Sequence, residues 1–476
     1  MGWSDEADGG MAKLTLEVPD EVVEQFKALE ARLKALEADK TGAAPAVKEV
    51  EVDVVTSAIA RELKRRALQG LDIDAEYVLI DGKRHKRVLR SEATYQVNEG
   101  TVPVTRGLFR ECGVRNAKTV DPVAARMGCV GTWCPEVAKA AAFLLQQGTS
   151  REAEETAKAT SVLPFSRSSF LRVAHAVGAL HDAVRDEVED ALAKRCVIPE
   201  TARSLSVSMD RVAVPMEEPR PRKAGRPKKG AAKRPVARVW HMAFVGTLTF
   251  HDSESKALHT IRYGRMPGLG CADLLGRMFA DVQAFLMRRT GLQVALLSDG
   301  AKEMVDGLAA VFNRKTLGVE VFQHIDLWHV IEKLGAAARL IHADDAPAVI
   351  TRWKMLLLNN DSAVSRILTE LHASGMRELA LGDARPVHEA ITYLENNRSR
   401  MKFAAARRAG LPIGSGNVEA TCKSLIGQRL VRSGSRWLET TGQHIIDLRA
   451  LALSGRFNEA MELTLAPLVR HVRRAA

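Results

Sequence analysis

No apolar run in this sequence approaches the length needed to cross a bilayer, and its first ten residues, MGWSDEADGG, are acidic where a signal peptide would be basic. Nothing in it therefore directs the chain to a membrane, and a cytoplasmic location is the expectation. The six cysteines, at positions 112, 129, 134, 196, 271 and 422, include no CxxC pair and no Cys/His ladder of zinc-finger spacing. That absence fits reduced thiols. For Cys129 and Cys134 two readings stay open: a metal site completed by a distant His, or a pair of buried free thiols. A third absence is local. Between Arg220 and Arg238 there is no acidic residue, while Lys and Arg recur among Pro and Gly, so this segment cannot pack into a core.

What is present bounds the rest. A chain of 476 residues with 46% hydrophobic content can bury a full core and is expected to contain more than one domain. Lys plus Arg total 69 against 58 Asp plus Glu, a formal charge of +11, and the sequence pI is about 9.4. Such a balance points to a polyanionic partner, first of all nucleic acid, although moderate charge also serves solubility; clustering distinguishes the two. The cluster at 220–238 has Gly225-Arg226-Pro227-Lys228-Lys229 at its centre. This resembles an AT-hook, in which Arg enters the narrow, strongly negative minor groove of A·T-rich DNA. Arg226, Lys228 and Lys229 are thus candidate DNA contacts, the alternative being a solvated basic linker.

In chain order, Val22, Phe26, Leu29, Leu33 and Leu36 recur at three- and four-residue steps, which predicts an amphipathic helix within residues 1–40, paired with a second copy or packed on its own protein. Thr41 to Ala46 reads as a linker. Strand-like runs at Tyr77–Ile80 and Ala93–Val97, with Asp-Gly and Glu-Gly turns, predict a small β-rich module over 41–130. Residues 131–200 change to helical periods at 137–147, 150–160 and 165–177. They suit either a helix-turn-helix unit, whose third helix would present Arg167 and Arg172 to DNA, or a plain helical connector.

The period changes again at residue 201, where a further domain is expected to run to 476. Leu205, Val207 and Met209 alternate with Ser206, Ser208 and Asp210, predicting a strand with one apolar face that ends in a carboxylate. Strands at 239–250 and 258–263 would complete an antiparallel meander. After a helix at 274–290, Gln293 to Leu297 reads as a strand buried on both faces and ending at Asp299. Val319 to Ile325 is a last strand, and Asp326-Leu327-Trp328-His329 opens a helix. Mostly helical sequence continues to Arg408.

Then comes GLPIGSGNVEATCKSLIGQRLVRSGSRW, residues 410–437. Gly414-Ser415-Gly416-Asn417 predicts a turn whose Ser or Asn caps a helix. Glu419 falls in the first turn, with Lys423 one turn later beside an apolar stripe of Val418, Cys422, Leu425 and Ile426. An ordinary ion pair and a functional carboxylate both fit Glu419. Trp437 suits core packing or stacking on an unpaired base.

Three strands, helix, strand, helix, strand, helix is the element order of an RNase H-like α/β fold, in which carboxylates at the ends of the first and fourth strands and on a late helix converge. Here they are Asp210, Asp299 and Glu419. Three hard oxygen donors suit Mg²⁺ or Mn²⁺, and two such ions about 4 Å apart activate water and stabilise the leaving oxygen of a phosphodiester. The runs LLSDGAKEM, HIDLWHVIEKL, NNRSRMKF, GLPIGSGNVEATCK and SGSRW, within residues 203–455, resemble the DDE transposases of bacterial insertion sequences, in the Kra-type group related to Mutator-like elements. The resemblance implies that Asp210, Asp299 and Glu419 are the catalytic metal ligands and that residues 335–405 form a helical insertion. It also covers the Asp326-x-x-His329 pair, read as a helix cap with a nearby His or as groups supporting or replacing a ligand. Lys423, Arg429, Arg432 and Arg436 would hold DNA phosphates. The activity implied is metal-dependent cleavage and strand transfer at terminal repeats of double-stranded DNA, by a homo-oligomer associated with the nucleoid. Alternatives are a non-catalytic DNA-binding regulator derived from a transposase, and a nuclease of the same fold without strand transfer.

Overall fold

The computed structural model describes residues 45–217 and 238–475, with scattered residues between 3 and 35. Most of the stretch 18–39, and with it the expected amphipathic helix, lies outside the described residues, as do Arg226, Lys228 and Lys229. The chain divides into two compact units, Met1–Val177 with Leu465–Ala476, and Gly178–Thr464. Among the described residues no helix is long and apolar enough to cross a membrane.

The first unit is built on a five-stranded antiparallel sheet. Its members are β1 (Tyr77–Ile80), β2 (Lys83–Val97), β3 (Gly100–Glu111) and β4 (Thr119–Val120), in sequential order, with the C-terminal strand Val472–Arg474 added beside β1. Asp81 and Gly82 both take positive φ, 49° and 82°, the geometry of a two-residue hairpin turn whose twist matches its strands. Val78, Ile80, Phe109 and Val472 share one core. Helices occur at Pro135–Gln147, Ser150–Ala159 and Arg167–Ala183, within a few residues of the expected positions. The second opens on a capping box in which Thr149 and Glu152 satisfy each other's backbone N–H groups. The helices Pro45–Gln69 and Pro122–Met127 were not expected. Pro45–Gln69 covers the end of the supposed linker, and the β-branched residues of its first half, VKEVEVDVVTSAI, obscure its period.

The second unit carries a mixed sheet of β5 (Ser204–Glu217), β6 (Arg238–His251), β7 (Ala257–Arg265), β8 (Gln293–Ser298) and β9 (Val321–Ile325). The spatial order is β9-β8-β5-β6-β7; β5, β6 and β7 are antiparallel, and β8 runs parallel to both β5 and β9. Helix Gly270–Arg288 packs Leu274, Met278, Val282 and Phe285 against sheet residues Val207, Leu248 and Val294. Five helices lie between β9 and residue 409, around a second core that includes Trp353, Ile367, Leu394 and Phe403.

One expectation for β5 needs correction. Asp210 does not end the strand, which continues to Glu217 because β6 pairs with it along its whole length. It is the pairing with β8 that stops, at Ser208 opposite Leu297, so Asp210 stands just past the end of a neighbouring strand. On the polar face, Ser206 and Ser208 are both buried, and the Ser206 hydroxyl hydrogen-bonds His251 Nε2 at 2.9 Å.

At Gly264 on β7 the sheet closely approaches the helical segments after residue 416. A Cβ there would lie 2.9 Å from Leu425 Cδ2 and closer still to Ile446 Cγ2, both buried branched side chains. Gly264→Ala is therefore expected to lower unfolding stability by about 1–3 kcal/mol, read from the midpoint of urea denaturation at unchanged slope.

Candidate active site

Each acidic residue singled out by its sequence position has a distinct local cause for its placement. On β5, Asp210 Oδ1 accepts the N–H of Arg211 at 2.7 Å, and Oδ2 accepts the thiol of Cys422 at 3.5 Å. Burial, and after it the charge of Asp210, push the Cys422 thiol well up, which keeps it protonated as a donor. Asp299 comes directly after β8. Its Oδ1 accepts the N–H of Ala301 at 2.9 Å, and its carbonyl accepts the Tyr393 hydroxyl at 2.8 Å. Gly300 beside it has φ of 93°, a conformation that turns the chain sharply off the strand.

Glu419 sits in the short helix Gly416–Thr421, which passes without a break into a π-helical segment, Cys422–Gly427. Ser415 does not cap this helix with its side chain, contrary to expectation; its hydroxyl donates to Asp326 instead. Nor does Glu419 pair with Lys423. Its Oε1 lies 3.3 Å from His329 Nε2, and Lys423 stays exposed without an ion-pair partner among the described residues.

Asp210, Asp299 and Glu419 line a single cavity of about 280 Å³, together with Met209, His329, Ser415, Val418, Cys422 and Lys423. None of the three carboxylates is paired with an Arg or Lys of the described residues, and Glu419 keeps 40% of its side chain exposed. Three like charges around one small cavity repel one another, and a divalent cation relieves that repulsion. The donor set, oxygen-rich with free lone pairs on each carboxylate, fits Mg²⁺ or Mn²⁺.

By distance alone another trio competes, since Asp326, His329 and Glu419 bring one donor atom each within 4.8 Å of one another. Hydrogen bonding decides against Asp326. Its Oδ1 accepts the N–H groups of Trp328, at 2.6 Å, and His329, at 3.2 Å, capping helix Leu327–His342. Its Oδ2 accepts the Ser415 N–H and, at 2.8 Å, the Ser415 hydroxyl. A fully buried carboxylate with four donors has no lone pair left for a metal.

The expected DNA contacts are placed unevenly. Arg167 and Arg172 are exposed on their helix, Arg167 Nε donating to Ser150 Oγ at 3.1 Å. Lys423 and Arg436 are exposed and Arg432 is half-buried. Arg429 is the exception: it is 4% exposed, with its guanidinium 5.0 Å from the centre of the Trp437 ring, so it packs the segment internally rather than facing a phosphate. Trp437 is half-buried, and its Nε1 donates to Leu430 O at 2.9 Å. An aromatic ring beside the cavity residue His329 that does face outward is Trp328, 59% exposed, with Lys354 Nζ 4.1 Å from its ring centre. Sequence reasoning passed over it because an apolar residue opening an amphipathic helix reads as core. Cys422, also read as core, does pack there while donating to Asp210.

If Asp326 is a clamp, its loss should be felt in folding. Asp326→Asn puts an amide donor against the Ser415 N–H and is expected to cost about 1–3 kcal/mol in denaturant unfolding, whereas Asp299→Asn, half-exposed and making one such bond, is expected to cost well under half as much.

No protein-family model matches the sequence, and no curated protein sequence matches it. Among solved structures, the Drosophila P element transposase strand transfer complex is similar at 12% identity, over 68% of this chain and 80% of that chain, with a TM-score of 0.23. A likeness that loose carries no argument about the chemistry of this site.

Proposed function

We propose that the unit Gly178–Thr464 is the RNase H-like catalytic core of a DDE-type transposase, which cleaves DNA at the ends of its element and joins those ends to target DNA. The observation that carries this reading is the set of three carboxylates, from β5, from the end of β8 and from the helix at Gly416, facing one cavity without a Lys or Arg partner among the described residues. The strand order β9-β8-β5-β6-β7, with β6 alone antiparallel to both its neighbours in a three-strand meander, is that expected of the fold. The sequence motifs through Asp299, His329 and Glu419 support the same reading.

Asp210, Asp299 and Glu419 would hold Mg²⁺ or Mn²⁺, which supplies Lewis acidity to the phosphodiester and lowers the pKa of the attacking water. The remaining work belongs to the protein. Cys422 and the Arg211 N–H hold Asp210, the Ala301 N–H holds Asp299, and His329 holds Glu419, so each carboxylate is oriented before any ion or DNA arrives. Lys423, on the cavity wall, would meet a phosphate. Trp328 offers a ring to an unpaired base beside the scissile bond, a role better suited to it than to Trp437. Arg226, Lys228 and Lys229, by their sequence, would add a minor-groove contact. In the first reaction water attacks phosphorus and the 3′-oxygen leaves as a hydroxyl; in the second that hydroxyl attacks a target phosphodiester, whose own 3′-oxygen leaves.

The test is cleavage and joining of linear DNA carrying the boundaries of the element that encodes the chain. With Mg²⁺ or Mn²⁺, the wild-type protein should release 3′-hydroxyl ends and integrate them into a plasmid. Glu419→Gln and Asp299→Ala should lose at least about 10³-fold in cleavage, a loss of roughly 4 kcal/mol of transition-state stabilisation, while binding the same DNA within about threefold. Undiminished cleavage by either variant contradicts the assignment. Cleavage without joining indicates a nuclease, and binding without cleavage by the wild type indicates a regulator. Separately, Trp328→Ala should weaken binding to DNA with unpaired ends by about 1–3 kcal/mol and leave blunt duplex binding unchanged, as read by fluorescence anisotropy.

A further inference from the structure

Two of the cysteines that carry no role in this chemistry, Cys129 and Cys134, lie together in the first unit. Between them runs Val130-Gly131-Thr132-Trp133. Val130 and Trp133 exchange both backbone hydrogen bonds, Val130 N–H to Trp133 O at 2.9 Å and Trp133 N–H to Val130 O at 3.1 Å, and Gly131 takes φ of 66°. This is a two-residue hairpin with its hydrogen-bonded pair at Val130 and Trp133. The next pair outward, Cys129 with Cys134, must then be a non-hydrogen-bonded pair, whose backbone N–H groups point away from each other. They do: Cys129 N–H donates to Ala124 O at 2.9 Å and Cys134 N–H to Gln96 O at 3.1 Å. Residues so paired stand with Cα atoms about 4.5 Å apart and side chains on the same face. That lies at the short end of the separation a disulfide spans, about 4.4–6.8 Å, where the bond forms but is readily reduced.

We propose that Cys129 and Cys134 form a reversible cross-strand disulfide by exchange with a low-molecular-weight disulfide of the glutathione class. Both thiols are free and buried, but only Cys134 lines a cavity of about 560 Å³, walled by Lys64, Leu68, Val97, Met127 and Val137, through which such a reagent reaches it. Cys134 also precedes helix Pro135–Gln147, whose N-terminus favours a thiolate. The electrostatics agree with that division. The Cys134 thiol is lowered, first by the hydrogen bond from Cys129 and then by Lys64 despite burial, and the Cys129 thiol is pushed up by the same hydrogen bond and by burial. A metal site is the weaker reading, because no third His, Cys, Asp or Glu of the described residues joins them in a metal-sized group.

Exchange proceeds in two balanced steps. Cys134 thiolate attacks one sulfur of glutathione disulfide, forming a mixed disulfide and releasing one glutathione thiolate. That thiolate, or solvent, takes the Cys129 proton, and Cys129 sulfur attacks the Cys134 sulfur, releasing the second glutathione. Two protein thiols are oxidised and one disulfide is reduced to two thiols. The product ties the end of helix Pro122–Met127 to the start of helix Pro135–Gln147 and stiffens the wall of the cavity.

Trypsin releases both cysteines on one peptide, between Arg126 and Lys139, which makes the test direct. The full-length native protein is incubated with excess oxidised glutathione, quenched with acid, alkylated under denaturing conditions and digested. The expected peptide carries no alkyl group, is lighter than the dithiol by two hydrogens, and regains two alkyl groups after dithiothreitol. In Cys129→Ser a glutathione adduct should accumulate on Cys134; in Cys134→Ser adduct formation at Cys129 should be at least about tenfold slower, its thiol being the less ionised. The proposal fails if both wild-type thiols stay fully alkylatable while exposed Cys112 is consumed, or if a stable glutathione adduct remains on the wild-type pair.

Discussion

The candidate site depends on one buried carboxylate that takes no part in it. Asp326 accepts two N–H groups at the start of helix Leu327–His342 and both the N–H and the hydroxyl of Ser415, so it fastens the two segments that supply His329 and Glu419. A buried charge is costly unless every lone pair is matched, and here the matching partners come from positions 89 residues apart in the chain. The arrangement thereby meets two requirements at once. Asp326 caps the helix that starts at Leu327, and the Gly414-Ser415-Gly416 turn brings the two donors that its second oxygen needs in the core.

This also explains why the sequence separates Asp326 from Asp299 only in part. Both come after apolar strands and before helices, and both accept an N–H two residues on. The difference is burial, and burial depends on what packs against the strand ends from elsewhere. Ser415 covers Asp326, whereas nothing of that kind covers Asp299, which opens on the cavity. A local pattern shows that each Asp terminates a strand. Only tertiary pairing distinguishes a clamp from an open carboxylate.

Much of the rest was legible for similar reasons. The strand Gln293–Ser298 and the meander announce themselves by unbroken or alternating apolar runs, and the helices of residues 135–183 by period and by the Thr149-Glu152 box. What was hidden depended on neighbours. Asp210 lies inside β5 because β6 extends past it; Ser206 and Ser208 are buried because His251 receives one of them; Arg429 is buried because Trp437 folds back over it. In each case the local pattern gives the residue type, and a segment distant in the chain decides its surroundings.

The segment after Glu419 carries a signal that periodicity analysis can recover. Its buried residues come in pairs, Thr421 with Cys422, Leu425 with Ile426 and Arg429 with Leu430, and the pairs step by four rather than 3.6 residues. A straight α-helix would rotate successive pairs away from the core by about 40° each. The wider turn of the π-helical stretch Cys422–Gly427 removes that drift and keeps all three pairs inward. Glu419 and Lys423, next to the first pair but on its outer side, are left facing the cavity instead of each other. The same stretch seats Leu425 where Gly264 lacks a side chain, so the position of the catalytic candidate Glu419 rests on a glycine of the sheet edge strand and on a helix wound too wide to form its expected ion pair. Glu419, with His329 3.3 Å away, and Lys423, without an ion-pair partner among the described residues, are thus held apart by backbone geometry on the wall of one cavity.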